Sequence, residues 1–363
     1  MRKEFYFICF FVLFSTVSKG QPRKNPLRIG LTYHHGFLYN HSEERAKDRG
    51  ISLSALNGAE VSFQWQTIGT KSWHKHWKYP FWGMSALIYS IPAPTYGGNC
   101  YAWLIYLGTH FIKTKHYELN MRLGTGVGAF ESPYNKEYNP KNLWVSAPFN
   151  TSMNINIENK IRVNDSVFIT FGGAFTHFSN GAVMMPNLGV NYPTLHVGLK
   201  IYPHYNAANF RRDTINEYLA KYYFHVSASF GSKVLPDFGT TYYPVYSMSL
   251  QAGRRLSKVY KMFVSIDGFR DESLLADSLV RLNNNDINRI GAFLGNEFLM
   301  GPLSMYFGFG RYLYKKTVRD ADYYIKVGLR YHFYKNVFAG LALKTHWGQA
   351  DSFEWTIGYS FRR

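Results

Sequence analysis

A chain of 363 residues with a net charge of +18 and a mean hydropathy of −0.25 has the average polarity of a soluble protein, yet it holds 29 Tyr, 29 Phe and 8 Trp. No stretch reaches the roughly 20 apolar residues that a transmembrane helix needs, which excludes a helical membrane bundle. Strands that spend alternate residues on lipid and on a polar lumen reconcile the low hydropathy with the aromatic excess, because aromatic girdles mark the two interfaces.

In chain order, Arg2 and Lys3 precede an apolar run from Phe5 to Val17, and the small residues Ser18 and Gly20 precede Gln21. This is the pattern of a cleavable secretory signal over residues 1–20. Its removal takes three basic residues and one acidic residue, a net +2, and leaves +16. Cys9 leaves with it, so Cys100 alone remains and no internal disulfide can form. The basic excess suits a partner that carries phosphates, such as lipopolysaccharide or nucleic acid, and equally a solvated basic rim.

Beyond the signal the apolar residues recur with period two. Leu119, Met121, Leu123 and Val127 oppose Glu118, Asn120, Arg122 and Gly124. Tyr323, Ile325, Val327, Leu329, Tyr331 and Phe333 oppose Lys326, Gly328, Arg330 and His332. The clearest case is the last, where Phe353, Trp355, Ile357, Tyr359 and Phe361 alternate with Glu354, Thr356, Gly358, Ser360 and Arg362. Period two is the signature of half-buried strands. Closure on an aromatic residue also resembles the terminal signal read by the barrel-assembly machinery, although two arginines follow Phe361. Strand centres fall near Leu31, Phe63, Leu87, Ile105, Leu123, Ile155, Phe171, Val197, Val226, Met248, Val264, Leu294, Phe307, Val327, Leu341 and Ile357, about 16 in all.

These strands predict an all-β, transmembrane antiparallel barrel in the outer membrane of a Gram-negative bacterium. Its long connections, 36–56, 131–149 and 269–288, belong on the cell surface. Short turns at Arg254-Arg255, Gly301-Pro302 and Tyr334-Lys335-Asn336 belong inside. Asn206-Ala-Ala-Asn209 and Arg211-Arg-Asp213 interrupt the pattern with eight strands on either side, dividing the mature chain into 21–205 and 206–363. One barrel of about 16 strands is favoured, because the linker is short. The alternative is two tandem eight-stranded barrels. A faint repeat supports it, since Thr345-His346 through Asp351 before a strand echoes Thr176-His177 through Gly181 before another.

The segment Phe171-Gly-Gly-Ala-Phe-Thr-His177-Phe-Ser179-Asn180-Gly181, with Pro186-Asn187, Asn191 and the strand Leu195 to Tyr202, resembles the active-site hairpin of the PagL-type lipid A 3-O-deacylases and related acyloxyacyl-hydrolase-like barrels. The resemblance is specific over 171–202 and extends over 22–203 by strand count, but leaves the second half unexplained, because that enzyme type is a single eight-stranded barrel. It implies that His177 is the general base, Ser179 the nucleophile and Asn187 a holder of the oxyanion. The family's acid lies twelve residues after the serine, where this chain has Asn191. An amide oxygen can orient the imidazole, but it cannot balance the imidazolium charge. The expected activity is a serine esterase that removes an ester-linked acyl chain from lipid A without a cofactor or metal. Backbone amides of Asn180, Gly181 and Ala182 would join Asn187 at the oxyanion, and Phe175, Val183, Met184, Met185 and Leu188 would meet acyl chains. Lipopolysaccharide and outer-membrane lipids are then the partners, and nucleic acid is not.

Strand parity agrees independently: His177 and Ser179 share the lipid-facing parity of Val167, Ile169, Phe171 and Phe175, and Asn191 shares that of Leu195 and Val197. A non-catalytic barrel, either a pore or a lipopolysaccharide-binding protein with a degenerate hairpin, is the rival reading, and Asn191 is the feature that favours it. Phospholipid hydrolysis at the same site is a third. Gly124-Thr-Gly-Val-Gly128 has no helix after it and reads as strand glycine, not a phosphate loop. His34-His35 and His74-Lys-His76 read as interfacial or loop residues sooner than metal ligands. His346, Asp351 and Glu354 outline a catalytic set, but His346 and Glu354 fall on the lumen parity.

Overall fold

The computed structural model describes residues 26–39, 55–91, 98–181, 183–203, 222–235, 241–276, 282–317, 321–347 and 349–361. The signal segment, the interruptions at 206–209 and 211–213, and Ala182 lie outside the described residues. Among those described, no helix is long and apolar enough to cross a membrane.

Sixteen strands form two closed antiparallel barrels of eight. The first comprises β1 (Leu27–Phe37), β2 (Ala55–Gln66), β3 (Phe81–Ile91), β4 (Gly98–Lys113), β5 (Tyr117–Phe130), β6 (Phe149–Arg162), β7 (Val167–Ser179) and β8 (Val190–Ile201). The second comprises β9 (Tyr222–Val234), β10 (Tyr242–Ser257), β11 (Tyr260–Asp271), β12 (Asn288–Met300), β13 (Leu303–Tyr314), β14 (Tyr323–Tyr334), β15 (Val337–His346) and β16 (Gln349–Ser360). Every predicted strand centre falls inside one of them. A five-residue helix, α1 (Ser72–His76), lies between β2 and β3.

The single large barrel is therefore corrected to the tandem arrangement. β1 pairs with β8 from Ile29↔Ile201 to Gly36↔Thr194, and β16 returns to β9 from Trp355↔Phe230 to Ser360↔His225. Each sheet satisfies its own edge strands, so neither half needs the other for its backbone hydrogen bonds. Linker length was a poor argument against this. β8 ends at Ile201 and β9 begins at Tyr222 at the same end of the barrels, and an extended chain covers about 3.3 Å per residue. Residues 22–205 alone are accordingly expected to refold in detergent as a β-rich, heat-modifiable barrel; a fragment that stays unfolded would count against this closure.

The connections after β1, β5, β7 and β11 are long, and the strand ends that flank them lie at one end of the barrels. Short ones, 114–116, 163–166, 301–302 and 335–336, gather at the other, together with the longer connection 67–80 that carries α1. The turn expected at Arg254-Arg255 lies instead at Lys258-Val259, because β10 continues to Ser257 through a register irregularity between Arg255 and Ser257. The faint repeat now has a structural meaning. Thr176-His177 lies among the last residues of the seventh strand of the first barrel, and Thr345-His346 ends the seventh strand of the second.

The two faces are inverted relative to a soluble protein. Leu31, Ile105, Leu195, Met248 and Trp355 are exposed outward, while Arg28, Glu60, Arg122, Glu158, Lys200, Arg289 and Glu297 are buried in the lumens. Eight strands enclose a space that side chains just fill. In the first barrel the middle and short-turn end hold ion pairs: Arg28–Glu118 at 3.2 Å, Arg122–Glu60 at 2.6 Å and Lys200–Glu158 at 2.8 Å. The long-loop end is plugged by an apolar cluster that includes Leu56, Tyr89, Cys100, Trp144, Phe178 and Tyr192. The second barrel also holds buried ion pairs, Arg330–Glu297 at 3.0 Å and Lys326–Glu354 at 3.1 Å, but its long-loop end carries Lys233 between Asp271 and Asp351 where the first barrel has the apolar plug.

Buried ion pairs make the lumens sensitive to single charge removals. Glu60 accepts from Arg122 at 2.6 Å and is 3.2 Å from His34 Nε2, with all three side chains buried. Glu60→Gln leaves the guanidinium without its counter-charge, which should cost about 3–5 kcal/mol. The temperature of heat modification should fall clearly; an unchanged midpoint would show that Arg122 finds compensation elsewhere.

Candidate active site

The hairpin between β7 and β8 stands at the long-loop end of the first barrel. His177 and Ser179 lie two residues apart on β7 and therefore share its outer face. Both are half-buried. Across the ladder His177 pairs with Asn191, and Ser179 pairs with Thr151 of β6.

His177 Nδ1 lies 2.8 Å from Asn191 Oδ1. The orientation of that amide is set from the other side, because Asn191 Nδ2 donates to the Tyr39 carbonyl at 3.4 Å and a carbonyl can only accept. Asn191 therefore presents oxygen to the imidazole. This puts the proton on Nδ1 and leaves the Nε2 lone pair as the basic position. Tyr39 N–H donates to the Asn191 carbonyl at 2.9 Å, which fixes the backbone from which the amide hangs. At Gly189, φ is +75° and a β-carbon would stand 2.8 Å from His177 Cε1, so glycine there makes room for the ring.

Ser179 Oγ accepts two hydrogen bonds, from Asn187 Nδ2 at 2.9 Å and from Gly181 N–H at 3.2 Å. Two donors thus converge beside the candidate nucleophile. Gly181 sits in the left-handed region at φ +65°, which turns its N–H back toward the serine. Asn180 is used otherwise. Its N–H donates to Asn187 Oδ1 at 3.3 Å, and its side-chain amide donates to Ser146 Oγ at 3.1 Å and to the Met184 carbonyl at 3.0 Å. It shapes the loop that carries the donors.

The apolar residues divide in the same way. Phe175 and Met184 are exposed on the outside, and Val183 and Met185 are half-buried. Leu188 packs against the apolar plug in the lumen mouth, away from lipid. Sequence reasoning missed the supports from distant segments. Besides Tyr39 and Ser146, the loop of residues 131–148 receives Leu188 N–H on the Leu143 carbonyl and Gly189 N–H on the Trp144 carbonyl, each at 3.1 Å. Only the length and asparagine content of that connection hinted at a structured loop.

The other histidine clusters do different work. His34 is in the lumen, 3.2 Å from both Thr194 Oγ1 and Glu60 Oε2, whereas His35 faces outward, 2.9 Å from Asn57 Oδ1. His346 Nε2 meets the Tyr312 hydroxyl at 3.0 Å inside the second barrel, where Asp351 pairs with Lys233 and Lys344. Gly124 to Gly128 lie within β5. Among the described residues no group of three His, Cys, Asp or Glu side chains is placed to hold a metal.

Two closed, lumen-filled barrels whose apolar side chains face outward define a tandem β-barrel of the outer-membrane kind, and the first of them carries His177, Ser179 and Asn191 together on one hairpin. Residues 57–200 match the family model described as lipid A 3-O-deacylase (PagL), and residues 221–363 match that described as acyloxyacyl hydrolase, C-terminal domain. Together these matches span most of the chain, which belongs to the PagL-type family of outer-membrane deacylases. No curated protein matches. Similar solved structures include the outer membrane enzyme PagL, at 16% identity and TM-score 0.33, covering 47% of this chain and 97% of that one. A mutant porin of Rh. blastica is 8% identical, with TM-score 0.18 and coverage of 92% and 100%. The translocator domain of the autotransporter NalP from Neisseria meningitidis is 10% identical, with TM-score 0.22 and coverage of 93% and 89%.

Proposed function

We propose that the first barrel is a serine esterase that removes an ester-linked acyl chain from lipid A in the outer leaflet. The observation that carries this reading is the convergence of Asn187 Nδ2 and Gly181 N–H on Ser179 Oγ, beside an imidazole whose Nδ1 is held by Asn191. His177 Nε2 takes the Ser179 proton as Oγ attacks the ester carbonyl. The carbonyl oxygen becomes an oxyanion and accepts from Gly181 N–H and Asn187 Nδ2, donors preorganised for charge that develops only in the transition state. The imidazolium then gives its proton to the departing sugar alkoxide. Water, deprotonated by the same His177, attacks the acyl-serine and releases the fatty acid.

The outward face of β7 supports a lipid substrate. Phe171 and Phe175 lie below His177 on the same parity and are exposed, so an acyl chain could run along them with its ester at the level of Ser179. The clustering of long connections at that end supports a cell-surface orientation of the hairpin. A pore is disfavoured, because charged side chains and the aromatic plug fill the first lumen. A lipopolysaccharide-binding barrel without chemistry would need no second donor on Ser179 Oγ. The test is a mass spectrum of lipid A from cells with and without the protein. Loss of the mass of one acyl chain is expected; identical spectra, with free fatty acid released from phospholipid instead, would move the substrate to glycerophospholipid.

A further inference from the structure

The outward side chains of β16 show an abrupt change. Trp355 and Ile357 are 65% and 60% exposed, as lipid-facing residues should be, but Phe353, one outward position nearer the long-loop end, is half-covered. What covers it belongs to the other barrel. The Phe353 ring lies so close over Gly181 that a β-carbon on that glycine would collide with it. Gly181 is itself buried.

Among the described residues the barrels touch at both ends, and this contact is at the long-loop end. At the short-turn end, Trp77 Nε1, just after α1, donates to the Leu299 carbonyl of β12 at 2.7 Å, and its ring lies 6.2 Å from Phe298. The Trp73 indole stands against Gly301 in the β12–β13 turn. Contacts at both ends hold the second barrel at a fixed lateral position against the first, so the Phe353 ring rests on a defined point of the hairpin. That point is the glycine whose N–H donates to Ser179 Oγ at 3.2 Å.

We propose that the second barrel completes the active site of the first, with Phe353 as a positioning residue that holds the Gly181 N–H on the developing oxyanion. The inference rests on the esterase reading above and adds to it the reason for a second barrel with no serine two residues after its own His346. A loop residue in the left-handed region is held only by its surroundings, and a glycine has the fewest restraints of its own. Pressing a flat aromatic ring on the backbone supplies the missing restraint, and it can do so only because no β-carbon intervenes. The fit is mutual: a glycine without the ring leaves the N–H free to turn, and a ring without the glycine cannot approach.

The effect can be bounded. Removing one oxyanion donor costs 10²–10³ in kcat. Loosening a donor that is still present costs less, so Phe353→Ala should lower kcat about tenfold or more. Because the change acts on the transition state, the short soluble ester p-nitrophenyl butyrate should lose kcat as lipid A does, with its KM nearly unchanged.

The full-length protein in detergent is assayed on both substrates as the parent, Phe353→Ala, Phe353→Leu and Phe353→Tyr, with Trp355→Ala as a control for loss of a lipid-facing aromatic. Heat-modifiable migration reports barrel assembly. Support requires a fall in kcat on both substrates for Phe353→Ala, a smaller fall for Phe353→Leu, recovery to near the parent for Phe353→Tyr, and no change for Trp355→Ala. Should Phe353→Ala not assemble, the ordering of the leucine and tyrosine variants decides alone. Parent-like kcat throughout the Phe353 series would overturn the inference and leave the esterase standing. Loss on lipid A with the short ester untouched would also overturn it, since Phe353 would then be a wall for substrate. A parent that hydrolyses neither ester and whose Ser179 resists an alkyl fluorophosphonate would remove the esterase reading and this inference with it.

Discussion

Ser179→Ala should abolish deacylation while the barrel still assembles, with kcat on lipid A falling by about 10⁴ or more. Loss of a serine nucleophile leaves only the contributions of the oxyanion donors and binding. The structural cost is small. The Thr151↔Ser179 and His177↔Asn191 pairings are made by backbone, and only two hydrogen bonds, from Gly181 N–H and Asn187 Nδ2, end on the half-buried Ser179 Oγ. Each lost hydrogen bond there is worth about 1 kcal/mol, too little to unfold a closed barrel. His177→Ala should match it, and the double variant should be scarcely worse than either single one, because residues acting as a unit are not additive. Lipid A mass from expressing cells and turnover of a chromogenic ester in detergent measure the same loss. Deacylation that continues in the Ser179→Ala protein would exclude this nucleophile.

The strands were legible because alternation is local: Tyr323 to Phe333 declares its two faces without reference to any other strand. Closure was not. Whether β8 returns to β1 or continues into β9 depends on pairings such as Ile29↔Ile201, and a lipid-facing isoleucine looks the same in either arrangement. The same division runs through the site. His177, Ser179, Asn187 and Asn191 lie within one hairpin, and their spacing carried the resemblance. Tyr39, Ser146 and Phe353 come from the segment just after β1, the β5–β6 connection and the second barrel. Each acts through a carbonyl, a hydroxyl or a ring that many residue types supply, so nothing in the local pattern marks it. Asn180 shows the reverse. It sits next to the serine in sequence, yet its groups are spent on Asn187, Ser146 and Met184.

On the esterase reading Asn191 stands where the resemblance implies an acid, and the geometry around it gives an amide a way to serve. In serine triads, exchanging the acid for its amide lowers kcat by about 10⁴, chiefly because the amide can present its NH₂ to the imidazole and force the wrong tautomer. Here the Tyr39 carbonyl takes the NH₂, so Asn191 Oδ1 faces His177 Nδ1 at 2.8 Å and the Nε2 lone pair is preserved. What the amide cannot give is a charge to offset the imidazolium. Asn191→Asp keeps the length and the oxygen at that 2.8 Å contact and adds the missing charge, at the cost of setting a carboxylate oxygen near the Tyr39 carbonyl. Its kcat on purified lipid A in micelles should be equal to or above the parent's. Asn191→Leu removes the acceptor altogether; the ring loses both its tautomer and its orientation, and misplacement on the scale of 1 Å is enough to cost about 10² in rate. Turnover by the leucine variant, measured against Ser179→Ala as the zero, should therefore fall by at least that factor with assembly unchanged. A leucine variant as fast as the parent would remove Asn191 from the constellation, and the group that orients His177 would have to be sought among its other neighbours.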